Sequence, residues 1–181
     1  MAKKIDPLNK KNYNAVVASL CVTDVKAAAS FYQKAFGFEK RSIMNGPDRK
    51  PVHAELKFRD TVIMIGPEMP EMGFRSAKTL GTSPIGLYLL VENADKVVAK
   101  ALKLGGTAQG PVTEMFWGDR CGRVKDPEGY TWTIATHIAE PTPAEMKKKM
   151  AEEMKKWSAQ AAPAGQAAAQ PSQTTAATNV S

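Results

Sequence analysis

Cysteine and histidine are scarce in this chain: Cys21, Cys121, His53 and His137 are the only four among 181 residues. Both cysteines fall in strand-like segments without an export signal, so a reduced, buried pair is expected rather than a disulfide. A catalytic thiol would need an adjacent base, and only the two histidines could supply one. Long apolar runs are missing too. Nothing approaches the roughly 18–20 apolar residues of a membrane span. The opening MAKKIDPLNKKNYN has lysines with no apolar stretch behind them, which argues against a secretory signal and makes a cytoplasmic protein the expectation. The formal charge is +7, but the lysines crowd the two ends, in AKK…NKK and EMKKKMAEEMKKW. The middle lacks the aromatic–basic interleaving on which bases stack. A solvated charged surface explains the charge better than a nucleic-acid groove, and no nucleic-acid or membrane partner is expected.

What remains is ordinary globular material, 43% hydrophobic and 24% charged. The length suits one domain or two small modules sharing a core. An internal repeat favours the second. SLCVTDVKAAASFYQKAFGFE, from Ser19, lies without a gap over LYLLVENADKVVAKALKLGGT, from Leu87. Asp24 falls on Glu92, Val22 on Leu90, Phe36 on Leu104 and Gly37 on Gly105. Each copy reads as an apolar strand, an acidic residue opening a helix, about three helical turns, and a glycine where the helix stops. Further strands follow: VHAELKF and TVIMIG in the first half, GRVK and YTWTIAT in the second, the last two joined by Asp126-Pro127-Glu128-Gly129. Proline at the second turn position and glycine at the fourth make this a tight turn. After it Trp132 and Ile134 alternate with Thr131, Thr133 and Ala135, and Trp132 is assigned to the core.

The organisation expected is α+β. A flexible start (1–13) precedes a first βαβββ module (14–66), a Gly/Pro-rich linker (67–84) and a second βαβββ module (85–140). One such sheet leaves a face exposed, so the two modules must pair. Thr142-Pro143-Ala144-Glu145 is a capping box with proline at the first helical position. It opens an amphipathic helix (142–158) whose Met146, Met150, Met154 and Trp157 stripe suits packing on its own domain or on a dimer mate. The remainder, 159–181, lacks the apolar content to order itself.

CVTDVKAAASFYQKAFGFE, VHAELKFRDTVIMIG, VENADKVVAKALKLGG and WGDRCGRVKDPEGYTWTIAT together resemble the vicinal oxygen chelate superfamily of glyoxalase I, extradiol dioxygenases and bleomycin-resistance proteins. HAEL, WGDR and DPEGYTW look most like its PhnB-like (demethylubiquinone-methyltransferase-like) subgroup. The resemblance implies two modules pairing into a cup-shaped mixed sheet. In metal-dependent members it also implies one ligand from the first and one from the last strand of each module. Those places are held here by Val17, Met64, Gly86 and Thr133, so no metal and no cofactor are expected, and glyoxalase or dioxygenase chemistry is disfavoured.

The same register turns Met64, Tyr88, Thr131 and Thr133 into one cavity beside Gly86, a mostly apolar wall with a few hydroxyls, as small-molecule sites have. His53 and Glu55 alternate with Lys57 on one face of their strand. They read as a solvated His–Glu contact, as a polar or proton-transfer pair at the pocket mouth, or as a weak metal pair. Asp119 and Arg120 read as a bridge bracing the loop before the hairpin. Alternatively, Arg120 clamps an anionic ligand on which Trp117 or Phe116 stacks. His137 is expected to be exposed. The function expected is a metal-free, small-molecule-binding homodimer whose ligand is small, partly apolar and possibly anionic. The alternatives are a lyase, isomerase or transferase using His53, Glu55 or Arg120 in the same cup, and a structural or partner-binding module working through its Met-rich helix.

Overall fold

The computed structural model describes residues 7–160. The first six residues and the tail from 161 on, where a flexible start and a disordered end were expected, lie outside the described residues. The chain divides after Glu140 into two units, the first of which holds both βαβββ modules.

The first module runs β1 (Ala18–Val22), α1 (Val25–Phe31) prolonged by a π-helical turn (Tyr32–Phe36), β2 (Glu39–Asn45), β3 (Pro51–Phe58) and β4 (Thr61–Pro67). Asp24 caps α1 by accepting from the Ala27 N–H at 2.9 Å. Gly37 closes the turn at φ 82°, in the left-handed region that glycine enters without a Cβ clash. The second module runs β5 (Gly86–Leu90), α3 (Ala94–Lys103), two short strands β6 (Thr107–Ala108) and β7 (Thr113–Glu114), β8 (Asp119–Lys125) and β9 (Thr131–His137). Between the modules lies the linker with the one-turn α2 (Ala77–Leu80). The cap of α3 is Asn93, which accepts from Lys96, and not the Glu92 that aligns with Asp24. The helix therefore starts one residue later than the repeat implies.

Each module builds its own mixed sheet, β1-β4-β3-β2 in the first and β5-β9-β8-β6 in the second, with β7 also on β8. β1 on β4 and β5 on β9 are parallel, and the other pairs are antiparallel. Within one chain the sheets meet through the faces that carry helices. Leu20, Val22, Leu56 and Ile65 from one sheet and Leu89, Trp132, Ile134 and Val124 from the other share a single core with Tyr32, Phe36 and Ala101. Trp132 lies 4.8 Å from Phe36 and 5.2 Å from Tyr32, centroid to centroid. Burial of these rings holds the modules together, at roughly 1.5–3 kcal/mol for each large apolar side chain taken out of water.

The Asp126–Gly129 turn fastens this packing. Asp126 is buried and accepts from the Tyr32 hydroxyl (2.7 Å) and the Trp132 indole (2.8 Å), joining the two modules through one carboxylate. Burial pushes its pKa up against the opposing pull of these donors. Glu128 accepts from the Thr23 N–H at 2.6 Å, and the Tyr130 hydroxyl bonds both the carbonyl (2.7 Å) and the N–H (3.1 Å) of Cys21. Gly129, at φ 89°, has no room for a side chain, since a Cβ there would stand 2.7 Å from the Lys78 nitrogen. The cysteines are unpaired; Cys121 is buried and Cys21 partly so.

In the second unit α4 (Pro143–Gln160) opens with the expected capping box. Glu145 accepts from the Thr142 N–H (2.9 Å), and Thr142 Oγ accepts from the Glu145 N–H (3.3 Å). No helix among the described residues is long and apolar enough to cross a membrane.

Candidate functional site

With the inner faces of both sheets spent on the core, the outer faces carry the polar side chains. On the second sheet, pairing sets Tyr88 beside Thr133 and Arg123, Gly86 beside Thr131 and Lys125, and His137 beside Asp119. Successive strand residues alternate faces, so all of these share the outer one. Gly86 stands open there, because a Cβ added to it would meet nothing within 4 Å.

Tyr88 reaches across this face. Its hydroxyl donates to Asp119 Oδ2 at 2.6 Å and lies 3.3 Å from Cys121 Sγ. The intervening strand offers only the small Ala135 at that level, which lets the phenol pass over it. The Trp117 indole N–H donates to the same Asp119 oxygen at 3.1 Å, and His137 Nδ1 meets Oδ1 at 2.7 Å. The imidazole's other nitrogen, Nε2, lies 3.1 Å from Glu140 Oε1. Asp119 is 8% exposed. Burial alone would push its carboxyl up, but the hydroxyl, imidazole and indole donors together hold it below the usual range. The Tyr88 phenol is driven well above its ordinary value by burial and by its bond to Asp119. Burial likewise pushes the Cys121 thiol up. These three groups therefore keep fixed protonation at neutral pH, and Asp119 serves as an anionic pin for two aromatic side chains and an imidazole.

Arg120 takes no part in this cluster and makes no bridge to Asp119. Neighbours on a strand point to opposite faces. Arg120 turns to the helix side and forks onto Asp95 of α3, at 2.8 and 2.9 Å, and that hydrogen bond keeps the Asp95 carboxyl low. A clamp on a ligand beside Trp117 would need the guanidinium on the other side of the sheet. Phe116 packs edge-on against Trp117 at 4.9 Å.

The remaining candidates lie on the outer face of the first sheet. Met64 pairs with Ser19 and Glu55. Glu55 accepts from the Tyr13 hydroxyl at 2.7 Å and stands 3.4 Å from Arg41 and 3.6 Å from His53. The His53–Glu55 contact is present, with Tyr13 and Arg41 joined to it. Both sheets turn their inner faces to one core, which leaves Met64 and Tyr88 outside it on different sheets. Met64 sits on the outer face of the first sheet, and Tyr88 and Thr133 sit on that of the second. The edge strands β1 and β5 flank a cleft of about 260 Å³ lined by Ala18, Ile63, Leu87, Tyr88 and Trp132, with Arg59 and Asp60 also at its wall.

Two partners in the Tyr88 cluster, Asp119 and His137, were not singled out as site residues, although a signal for them was there. Counting outward from the Asp126–Gly129 turn pairs 125 with 131 and 123 with 133, and so 119 with 137.

A fold of two βαβββ modules with outward sheet faces defines a class of paired-module proteins, and the sequence places the chain within it. It belongs to the Glyoxalase/Bleomycin resistance protein/Dioxygenase superfamily, whose family model matches residues 13–134. An uncharacterised protein of Mycobacterium bovis is 33% identical over 129 residues, covering 70% of this chain and 85% of its own. Among solved structures, a gene product of Arabidopsis thaliana is 28% identical with a TM-score of 0.57, covering 68% of this chain and 98% of its own. TioX from Micromonospora sp. ML1 shares the fold at 21% identity and a TM-score of 0.56, over 68% of this chain and 98% of its own.

Metal-dependent members of such a superfamily need imidazole or carboxylate donors on the outer faces. Val17, Met64, Gly86 and Thr133 offer between them one thioether and one hydroxyl, a donor set unsuited to a divalent ion. Among the described residues no group of three or more His, Cys, Asp or Glu side chains could hold a metal.

Proposed function

We propose that this protein is a metal-free binder of small molecules, acting as a homodimer in which a second copy closes the face bearing Tyr88, Trp117, Thr131 and Thr133. The observation that carries this reading is the buried Asp119, which fixes the Tyr88 and Trp117 rings on a sheet face that is otherwise open, beside the vacant space at Gly86. A convergent polar pin among apolar and aromatic walls is how ligand sites are commonly built. A second copy fits because β1 and β5 each pair on one side only, and an unpaired edge next to apolar surface is normally covered. The likeness of WGDR and DPEGYTW to the PhnB-like subgroup accords with this reading. An enzyme is the second reading, and the observation in its favour is the carboxylate-oriented imidazole of His137.

Purified protein is expected to carry less than about one tenth of an equivalent of Ni, Zn, Fe or Mn, with its melting temperature indifferent to chelator. Stoichiometric metal that is lost in His53→Ala would overturn the metal-free reading. In a thermal-shift screen, a ligand at 100 times its Kd adds about 2.7 kcal/mol, and Gly86→Leu should abolish that gain without lowering the melting temperature of the ligand-free protein. A gain that survives Gly86→Leu would place the ligand elsewhere.

A further inference from the structure

His137 is the least explained member of the Tyr88 cluster. Asp119 is ionised and can only accept, so Nδ1 donates to it; Glu140 can only accept, so Nε2 donates as well. The imidazole stands between two carboxylates, and both contacts favour its protonated form. They differ in kind. Asp119 is buried and tied to Tyr88 and Trp117, whereas the Glu140 side chain is 91% exposed and holds His137 across only three residues. An exposed pair of this sort contributes little to stability. Among the described residues Glu140 makes no other side-chain hydrogen bond or ion pair, and its carboxylate sits on the half-exposed imidazole of the cluster.

We infer that His137 Nε2 is the point at which this face takes the carboxylate of a small ligand, and that Glu140 occupies that point until the ligand displaces it. The inference rests on the small-molecule reading above and names the ligand class for it. Exchange of one carboxylate for another leaves the charge balance around His137 unchanged, so displacement costs no new buried charge. The body of the ligand would lie against what adjoins His137 on this face: the Tyr88 ring, which is 51% exposed, Leu90, and the pinned Trp117 indole. These are flat or apolar surfaces, and the ligand class is accordingly a small aromatic or otherwise flat apolar carboxylic acid. A charge-assisted hydrogen bond at Nε2 would select it over the corresponding amide.

The probes are 1-naphthoate and its neutral isostere 1-naphthamide, titrated into the full-length protein. The readout is the indole N–H resonance of Trp117, assigned by its loss in Trp117→Phe. Naphthoate should bind at least about tenfold more tightly than naphthamide, the factor that about 1.4 kcal/mol of charge-assisted bonding represents. Glu140→Gln, which removes the internal competitor from an exposed position, should strengthen naphthoate binding severalfold. His137→Gln should erase the preference for the acid. Equal binding of acid and amide at this face, or an affinity indifferent to Glu140→Gln, overturns the carboxylate assignment and leaves the small-molecule reading standing. Failure of both probes to shift Trp117 in either the wild type or Glu140→Gln overturns the assignment and counts against the small-molecule reading of this face too.

Discussion

His137 shows how much one residue can depend on which groups face it. Asp119 from β8 and Glu140 from the segment after β9 both touch the ring, with Tyr88 and Cys121 behind Asp119. The hydrogen bond to Asp119, then that to Glu140, raises the imidazole pKa above its ordinary 6.5, while Asp119 lies below its ordinary 3.8. A raised cation stabilises the fold fully below its unfolded pKa and loses that contribution as pH rises through the folded value. A lowered carboxylate contributes above its unfolded pKa and loses its share as pH falls through the folded value. The pair should therefore be strongest between about pH 4 and 6.5. The melting-temperature gap between wild type and His137→Gln is expected to be widest in that window and to narrow as the solution becomes alkaline. A gap that widens with rising pH would mean that His137 is neutral in the fold.

At the scale of elements, the hairpin β8–β9 does two jobs with its alternating faces. Its inner residues, Val124, Trp132 and Ile134, seal the core, and its outer ones, Asp119, Thr133 and His137, build the site. Its turn ties the second module to the edge strand of the first through Tyr130, whose single hydroxyl serves both backbone groups of Cys21. The Tyr130 hydroxyl thus occupies the backbone groups of β1 that face away from β4 at Cys21. Tyr130→Phe keeps the ring and removes only the hydroxyl. Leaving the two backbone groups unmatched should cost roughly 1–3 kcal/mol in urea denaturation with an unchanged m-value. No loss of stability would show that water replaces the hydroxyl and that the latch is dispensable.

At the scale of the molecule, the buried apolar residues among those described fall between Leu20 and Ala135, so the first unit contains its own core. In the second unit Met150 and Met154 are 42% and 58% exposed. A chain ending at Glu140 is expected to fold with an unchanged melting temperature. If light scattering finds that it has also lost its oligomeric state, the methionine stripe of α4 is an interface with another copy. A large fall in melting temperature for the shortened protein would instead make α4 part of the stability of the fold.

Much of this was legible in the sequence because it follows from local rules. The repeat of strand, capped helix and glycine stop reflects backbone geometry, and Asp24, Gly37 and the Thr142–Glu145 box perform as their residue types dictate. The division of the hairpin into a core face and an outer face follows from a period of two. Which outer face meets which was not legible. The modules bury their helix-bearing faces against each other, and that choice depends on how Tyr32, Phe36 and Trp132 fit together. It leaves Met64 and Tyr88 on the outer faces of different sheets. The partners of Asp119 were decided in the same way. Its sequence neighbour Arg120 lies across the sheet, whereas Tyr88, 31 residues away, reaches it over the gap above Ala135. A strand places adjacent residues on opposite faces and lets distant ones meet, so sequence proximity misled where tertiary packing decided.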